Sequence, residues 1–148
     1  MSKKLLHLMH IDNNDNHANL VSATVMESQL PCQISRFADA ESGLAFLTQN
    51  NVDSTNRQSF PDMILLDLGL PGIDGIEFLT TLRTNDRTRG IPVVVLTTSN
   101  QQEEISKAYK AGANSYIVKP ASMEEFVIKL AEMSMYWSMT AELPELVS

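Results

Sequence analysis

Short apolar segments alternate with longer amphipathic segments along most of the chain. Three of the short segments, MILL, PVVVL and SYIV, are apolar throughout or nearly so, which is typical of parallel strands covered on both faces. Since right-handed crossovers place the intervening helices on both sides of the sheet, this order predicts an α/β fold with a doubly wound parallel sheet. The predicted strands are Lys4–Ile11, Gln33–Phe37, Met63–Leu66, Pro92–Leu96 and Ser115–Val118.

The segments between the strands carry the residues that begin and end helices. Asp39 and Asp74 are predicted N-caps. Ser122 is followed three positions later by a glutamate, which is the capping-box spacing. The helix predicted over Gln101–Ala111 ends at Gly112. The apolar sides of the first three helices are predicted at Leu20, Val21, Ala23 or Thr24, and Met26 within Asn16–Leu30, then at Leu44, Phe46 and Leu47, and then at Ile76, Phe78, Leu79 and Leu82.

Composition argues against several classes of protein. The chain of 148 residues is long enough for one domain with its own core, and it carries 11 Lys and Arg against 18 Asp and Glu, for a net charge of -7. Because binding to a phosphate backbone needs a basic surface, we expect no nucleic-acid partner. A single cysteine, Cys32, and the lack of a secretory signal or a membrane-length apolar run predict a soluble cytoplasmic protein without membrane contact.

Polar side chains gather where the predicted strands end. In doubly wound sheets ligands bind just beyond the carboxyl ends of the strands. Two neighbouring carboxylates repel each other, so an ammonium group or a hard divalent cation is needed between them. Oxygen ligands without clustered Cys or His favour Mg2+ over zinc. The residues predicted to meet at this edge are Asp12, Asn13, Asp67, Thr97, Thr98 and Lys119.

Four ordered motifs resemble the receiver domains of two-component response regulators. They are ID after the first strand, PDMILLDLGLPGIDG around Asp67, PVVVLTTS after the fourth strand, and AGANSYIVKP ending at Lys119 and Pro120. The resemblance covers nearly the whole chain. It implies the CheY-like flavodoxin topology with strand order 2-1-3-4-5, and a receiver domain over 1–148 whose last helix is extended over about 132–148.

The same resemblance implies a role for each residue at the strand ends. Asp67 would accept a phosphoryl group from the phosphohistidine of a sensor kinase. Thr97, with Thr98 beside it, and Lys119 would bind the phosphoryl oxygens, Tyr116 would be the aromatic switch, and the peptide bond between Lys119 and Pro120 would be cis. The Mg2+ ligands would be Asp12, Asn13, Asp67 and the backbone carbonyl of Gly69.

A second resemblance rests on one loop and one tail. The polar segment Gln49–Ser59, QNNVDSTNRQS, is predicted to be a long mobile loop. Together with YWSMTAELPE near the C-terminus, it resembles the single-domain regulators that partner phytochrome kinases of cyanobacteria and other bacteria. We therefore expect a stand-alone regulator with a kinase partner of that type. Tyr136 and Trp137, with Met133, Met135 and Met139 near them, either complete the core or bury against a second subunit, and we expect a homodimer.

Two enzyme classes are disfavoured by spacing. Gly69, Gly72 and Gly75 are spaced G-x-x-G-x-x-G, which is not the dinucleotide-binding pattern. A phosphatase of the haloacid dehalogenase kind would need an acid at Gly69, two positions after its nucleophile. We therefore expect no enzyme. The remaining alternative is a degenerate receiver that binds partners without phosphorylation, because Asn13 stands where the family usually has an acid.

Three histidines raise the possibility of a metal site. His7 and His10 are three apart on a predicted strand, so their side chains point to opposite faces and cannot share one ion. Together with His17, they are interpreted as structural.

Overall fold

The computed structural model describes residues 6–27, 32–49, 61–68, 74–120 and 122–135. Strands and helices alternate through these ranges. The strands are β1 (Leu6–Ile11), β2 (Cys32–Phe37), β3 (Met63–Leu66), β4 (Val93–Thr97) and β5 (Ser115–Val118), and the helices are α1 (Asp15–Glu27), α2 (Ala40–Gln49), α3 (Gly75–Thr84), α4 (Gln102–Ala111) and α5 (Met123–Met135).

The five strands form one parallel sheet in the order β2-β1-β3-β4-β5. Both the fold class and the strand order predicted from the sequence are confirmed. The order reverses between β1 and β3, the strands on either side of the point where doubly wound sheets bind their ligands. In the register of this pair Ile11 lies opposite Leu66, so the residues that follow them, Asp12 and Asp67, leave the sheet side by side.

Most element boundaries agree with the sequence prediction to within a residue. The bounds of β3 and β5 are as predicted, β2 begins one residue early, and β4 is shifted one residue towards its C-terminus because it begins after Pro92. The predicted first strand and first helix extend into 4–5 and 28–30, which lie outside the described residues. The predicted loop over 50–59 also lies outside them, while Gln49 is the last residue of α2.

The predicted caps are present. The carboxylates of Asp39 and Asp74 each accept a hydrogen bond from the amide three residues on, at 2.7 and 2.8 Å. The Ser122 hydroxyl accepts one from the amide of Glu125 at 3.3 Å. Gly112 ends α4 with φ of 116°, a left-handed conformation that favours glycine. These contacts fix where α2, α3 and α5 begin, and Gly112 fixes where α4 ends.

Two apolar layers cover the sheet. One contains alternate residues of β1, β3 and β4 with α3, and the other contains the remaining residues with α1 and Phe126 of α5. The predicted apolar side of α1 was wrong at Met26, which is 70% exposed, because the buried stripe runs through Ala18, Val21 and Val25. The expectation that SYIV is covered on both faces was also wrong, since β5 is an edge strand and only partly buried.

None of the helices in the described ranges is long and apolar enough to cross a bilayer.

Candidate functional site

The carboxyl ends of β1, β3, β4 and β5 bring the predicted site residues to one edge of the sheet. Asp12 follows β1, Asp67 follows β3, Thr97 ends β4 and Lys119 follows β5. Backbone hydrogen bonds extend the sheet to these positions, from the Asp67 amide to Ile11 O at 2.9 Å and from the Lys119 amide to Thr97 O at 2.6 Å. The regular sheet therefore sets the spacing of the acidic and basic groups.

The ammonium of Lys119 lies between the two carboxylates. Its Nζ is 2.9 Å from Asp12 Oδ2 and 3.3 Å from Asp67 Oδ2. The side chains of Lys119 and Asp12 are 3% and 0% exposed, whereas that of Asp67 is 14% exposed. A charge buried this deeply requires a partner of opposite sign and hydrogen bonds. The three residues form an ion cluster in which only Asp67 retains appreciable contact with solvent.

Asp12 is held ionised within this cluster. Burial by itself would raise the pKa of Asp12, but its hydrogen bonds hold the pKa well below the usual range. The backbone N–H of Asn14 donates to Asp12 Oδ1 at 2.9 Å, and the Lys119 ammonium donates to Asp12 Oδ2. The His10 ring also contributes, although its Nε2 is 3.6 Å from Oδ2, which is long for a hydrogen bond. We therefore attribute the lowering mainly to Lys119 and Asn14.

The donor set at the site fits a hard divalent cation. The position of Lys119 shows that Asp12 and Asp67 need a positive charge between them, and oxygen ligands are those that Mg2+ prefers. Asn13 is exposed directly after Asp12 and offers an amide oxygen. Among the described residues no group of three or more His, Cys, Asp or Glu is placed to hold a metal. Gly69, the fourth predicted ligand, lies outside the described residues.

The two threonines at the end of β4 differ in environment. Thr97 is buried at 5% exposure, whereas Thr98 is exposed. The phenol of Tyr116 on the neighbouring strand donates to Ser99 O at 2.9 Å, and the Ser99 hydroxyl donates to Glu104 in the first turn of α4. Burial raises the pKa of Tyr116, the contact with Ser99 opposes this, and Glu104 adds to it. A chain of hydrogen bonds thus joins β5 to the start of α4.

The prediction of a cis peptide bond between Lys119 and Pro120 was wrong. No cis bond occurs in the described residues, which include both of these. The trans form is the ordinary preference even before proline, and Lys119 reaches both carboxylates with it.

Two residues of the site were missed from the sequence. His17 Nδ1 lies 2.9 Å from Lys119 Nζ, so the histidine interpreted as structural belongs to the cluster. Arg36 at the end of β2 donates to the Asp12 carbonyl at 3.1 and 2.7 Å, and it pairs with Asp15 at 2.8 Å. His17 in the first turn of a helix after a strand end was a usable signal, whereas the reach of Arg36 depends on the β1–β2 pairing.

His7 and His10 agree with the sequence interpretation. The two rings lie on opposite faces of β1: His7 Nε2 contacts Ser35 Oγ at 2.8 Å and its ring meets Phe46 edge-on, whereas His10 lies beside Asp12. They therefore cannot share one ion.

Comparison with known proteins gives one consistent family. The family model described as the response regulator receiver domain matches residues 8–131. The probable methanogenesis regulatory protein FilR2 of Methanothrix harundinacea is 34% identical over 130 residues, which cover 88% of this chain and 82% of that protein. Response regulator Rcp1 of Synechocystis is 28% identical over 137 residues, which cover 93% of this chain and 92% of Rcp1.

Solved structures of response regulators also match this chain. The phosphorylated cyanobacterial phytochrome response regulator RcpA matches with a TM-score of 0.86 at 29% identity, over 96% of this chain and 100% of RcpA. The Mn2+-bound form of Rcp1 matches with a TM-score of 0.84 at 28% identity, over 95% of this chain and 99% of Rcp1. The resemblance to regulators of the phytochrome type is therefore confirmed.

Replacing Lys119 tests the ion cluster. Lys119→Met should lower the free energy of unfolding by about 3 kcal/mol, because it leaves Asp12 buried without its partner. Millimolar Mg2+ should stabilise this variant more than the native protein, since the cation no longer competes with the ammonium for the carboxylates. Urea unfolding with and without Mg2+ measures both effects. Lys107→Met is the matched control, because Lys107 is an exposed lysine on α4. Native stability in Lys119→Met would contradict the cluster.

Proposed function

Because the chain belongs to the response regulator receiver domain family, we propose that it accepts a phosphoryl group on Asp67 from a sensor histidine kinase and signals through protein contacts. One observation carries the choice of Asp67: it is 14% exposed, whereas Asp12 is 0% exposed. A phosphoryl donor has to reach the nucleophilic oxygen, so the deeper carboxylate is left with a supporting role.

The transfer itself needs one oxygen of Asp67. Its attack on phosphorus forms the O–P bond of an acyl phosphate and breaks the P–N bond of the kinase phosphohistidine, whose nitrogen leaves with the electron pair. The new group carries about two negative charges, so the Lys119 ammonium can pair with it in place of the free carboxylate. Thr97 at the end of β4 would donate its hydroxyl to a phosphoryl oxygen.

Mg2+ is the cofactor that we assign to the site. Asp12, Asn13, Asp67 and the carbonyl of Gly69 would hold it, and it would supply positive charge to the phosphoryl oxygens. The Mn2+-bound form of Rcp1 supports a divalent metal in this family. A signal would then leave through Thr97 and Tyr116. Tyr116 donates a hydrogen bond to Ser99 O, and the Ser99 hydroxyl donates to Glu104 of α4.

The likeness to RcpA and Rcp1 supports a phytochrome-type kinase as the donor. The rival is a degenerate receiver that binds partners without phosphorylation, which the amide at Asn13 favours. Phosphorylation of the native protein separates the two.

Phosphorylation of Asp67 is tested by intact mass. Incubation with acetyl phosphate and Mg2+ should add one phosphoryl group to the native protein and none to Asp67→Asn. Asp74→Asn is the matched control, since asparagine also caps helices well and leaves the acceptor untouched. A phosphoryl gain that survives Asp67→Asn would overturn the assignment of Asp67, and the absence of any gain in the native protein would favour the degenerate receiver.

Asn13 should weaken Mg2+ binding, because its amide lowers the negative charge of the site by one unit. We expect Asn13→Asp to bind Mg2+ roughly tenfold to a hundredfold more tightly, which corresponds to about 1 to 3 kcal/mol after desolvation. The variant should also be phosphorylated faster when Mg2+ is scarce.

Calorimetric titration with Mg2+ measures the affinity. Asn14→Asp on the next residue is the matched control for added charge alone, and it should change the affinity less. Equal or weaker binding in Asn13→Asp would refute the charge argument.

We also infer a homodimer through the β4-to-α5 side and the C-terminal extension. Tyr136, Trp137 and Met139 lie outside the described residues, as do the side chains of Met133 and Met135. Among the described residues, Tyr109 of α4 and Ile128 of α5 are large apolar side chains with 48% and 58% exposure. Exposed apolar surface of this kind is commonly an interface.

Light scattering over a range of protein concentrations should give a dimer mass that falls in Ile128→Glu. It should not fall in the control Met26→Glu on α1, which is 70% exposed. A monomer mass at high concentration, with and without a phosphoryl analogue, would exclude this dimer.

A further inference from the structure

The first turn of α1 brings a neutral hydrogen-bond acceptor to the ion cluster. His17 Nδ1 is 2.9 Å from Lys119 Nζ, as short a distance as the one from Nζ to Asp12 Oδ2. Lysine donates hydrogen bonds and accepts none. Nδ1 therefore accepts here, which leaves the ring proton on Nε2.

The three contacts of the ammonium use all three of its protons. They go to Asp12 Oδ2, to His17 Nδ1 and, at the longer distance of 3.3 Å, to Asp67 Oδ2. Two short contacts thus anchor Lys119, and the longest one reaches the residue that we assign as phosphoacceptor. That contact is free to change when Asp67 gains a phosphoryl group, while the other two keep the ammonium in place.

His17 is held both at its backbone and at its ring. The His17 amide donates to Asn14 Oδ1 at 3.0 Å at the start of α1. The ring packs edge-on against Phe126 of α5, with centroids 5.7 Å apart and planes at 82°, and Phe126 is 2% exposed. Because the backbone and the ring are both fixed, the acceptor is aimed at Lys119 before any ligand binds.

We propose that His17 is a positioning residue for phosphoryl transfer to Asp67. His17 fixes the direction of the Lys119 ammonium without touching the phosphoryl group. The proposal rests on the function proposed above. A neutral acceptor suits this position. A carboxylate there would add a third negative charge and compete with the phosphoryl group for the lysine, whereas an apolar side chain would leave a buried N–H of Lys119 without a partner.

Three substitutions separate the acceptor from the shape of the side chain. His17→Asn keeps an acceptor oxygen near the position of Nδ1. His17→Leu has nearly the same branched shape as Asn but no acceptor. His17→Gln places its carbonyl one bond further along the chain, so it retains polarity without the acceptor position, and it takes the place of the Leu variant should that variant fail to fold.

Phosphorylation by acetyl phosphate in saturating Mg2+ measures the effect. We expect His17→Asn to keep the rate within about twofold of native, and His17→Leu and His17→Gln to lower it about 3- to 10-fold, as for the loss of one hydrogen bond of typical net strength. Circular dichroism verifies that each variant is folded.

A double-mutant cycle distinguishes positioning from a general structural role. In the Lys119→Met background, His17→Leu should change the slow residual rate less than about twofold, because the lysine on which it acts is gone. Equal slowing in both backgrounds would overturn the proposal, as would a native rate in both His17→Leu and His17→Gln. If the native protein gains no phosphoryl group, the proposed function fails and this role fails with it, so the native protein alone tells the two failures apart.

Discussion

The ammonium of Lys119 is the group on which the site depends. Its contacts with Asp12 and Asp67 neutralise two carboxylates that β1 and β3 place side by side, and two such charges repel each other unless a cation lies between them. The sheet supplies the positions: the acids follow adjacent strands, and Lys119 follows the edge strand β5 and reaches back over β4. The ammonium lies where a positive charge is required between the two carboxylates. Its position indicates that the site favours a cation and that Lys119 would pair with a phosphoryl group on Asp67.

The sequence predicted the features that follow from local pattern. Strands such as MILL and SYIV have the predicted bounds, and Asp12, Asp67 and Lys119 meet as the strand-end rule requires. It could not predict what depends on packing between distant segments. The position of His17 just after a strand end indicated the site edge, but its partner Lys119 is 102 positions away, so the contact itself could not be predicted. The exposure of Met26 depends on how α1 is rotated against the sheet, a choice between adjacent positions that its weak apolar pattern does not settle.

Family membership explains the arrangement but not all of its chemistry. The receiver domain model covers residues 8–131, and the fold agrees with RcpA and Rcp1 over nearly their whole length. Asn13 and His17 are two side chains of this chain that set the charge and the hydrogen bonding of the site. The amide at Asn13 reduces the negative charge available to a metal, and the imidazole of His17 adds an acceptor for Lys119 without adding charge. Both leave the site less negative than one with carboxylates at these positions.

Asp67 is the residue that we propose becomes phosphorylated. Borohydride reduces an acyl phosphate to an alcohol, so a phosphorylated aspartate is converted to homoserine and can be located by peptide sequencing in a mass spectrometer. After treatment with acetyl phosphate and Mg2+, we expect homoserine at position 67 and at no other aspartate. Homoserine at Asp12, Asp15 or Asp74, or none at all, would contradict it.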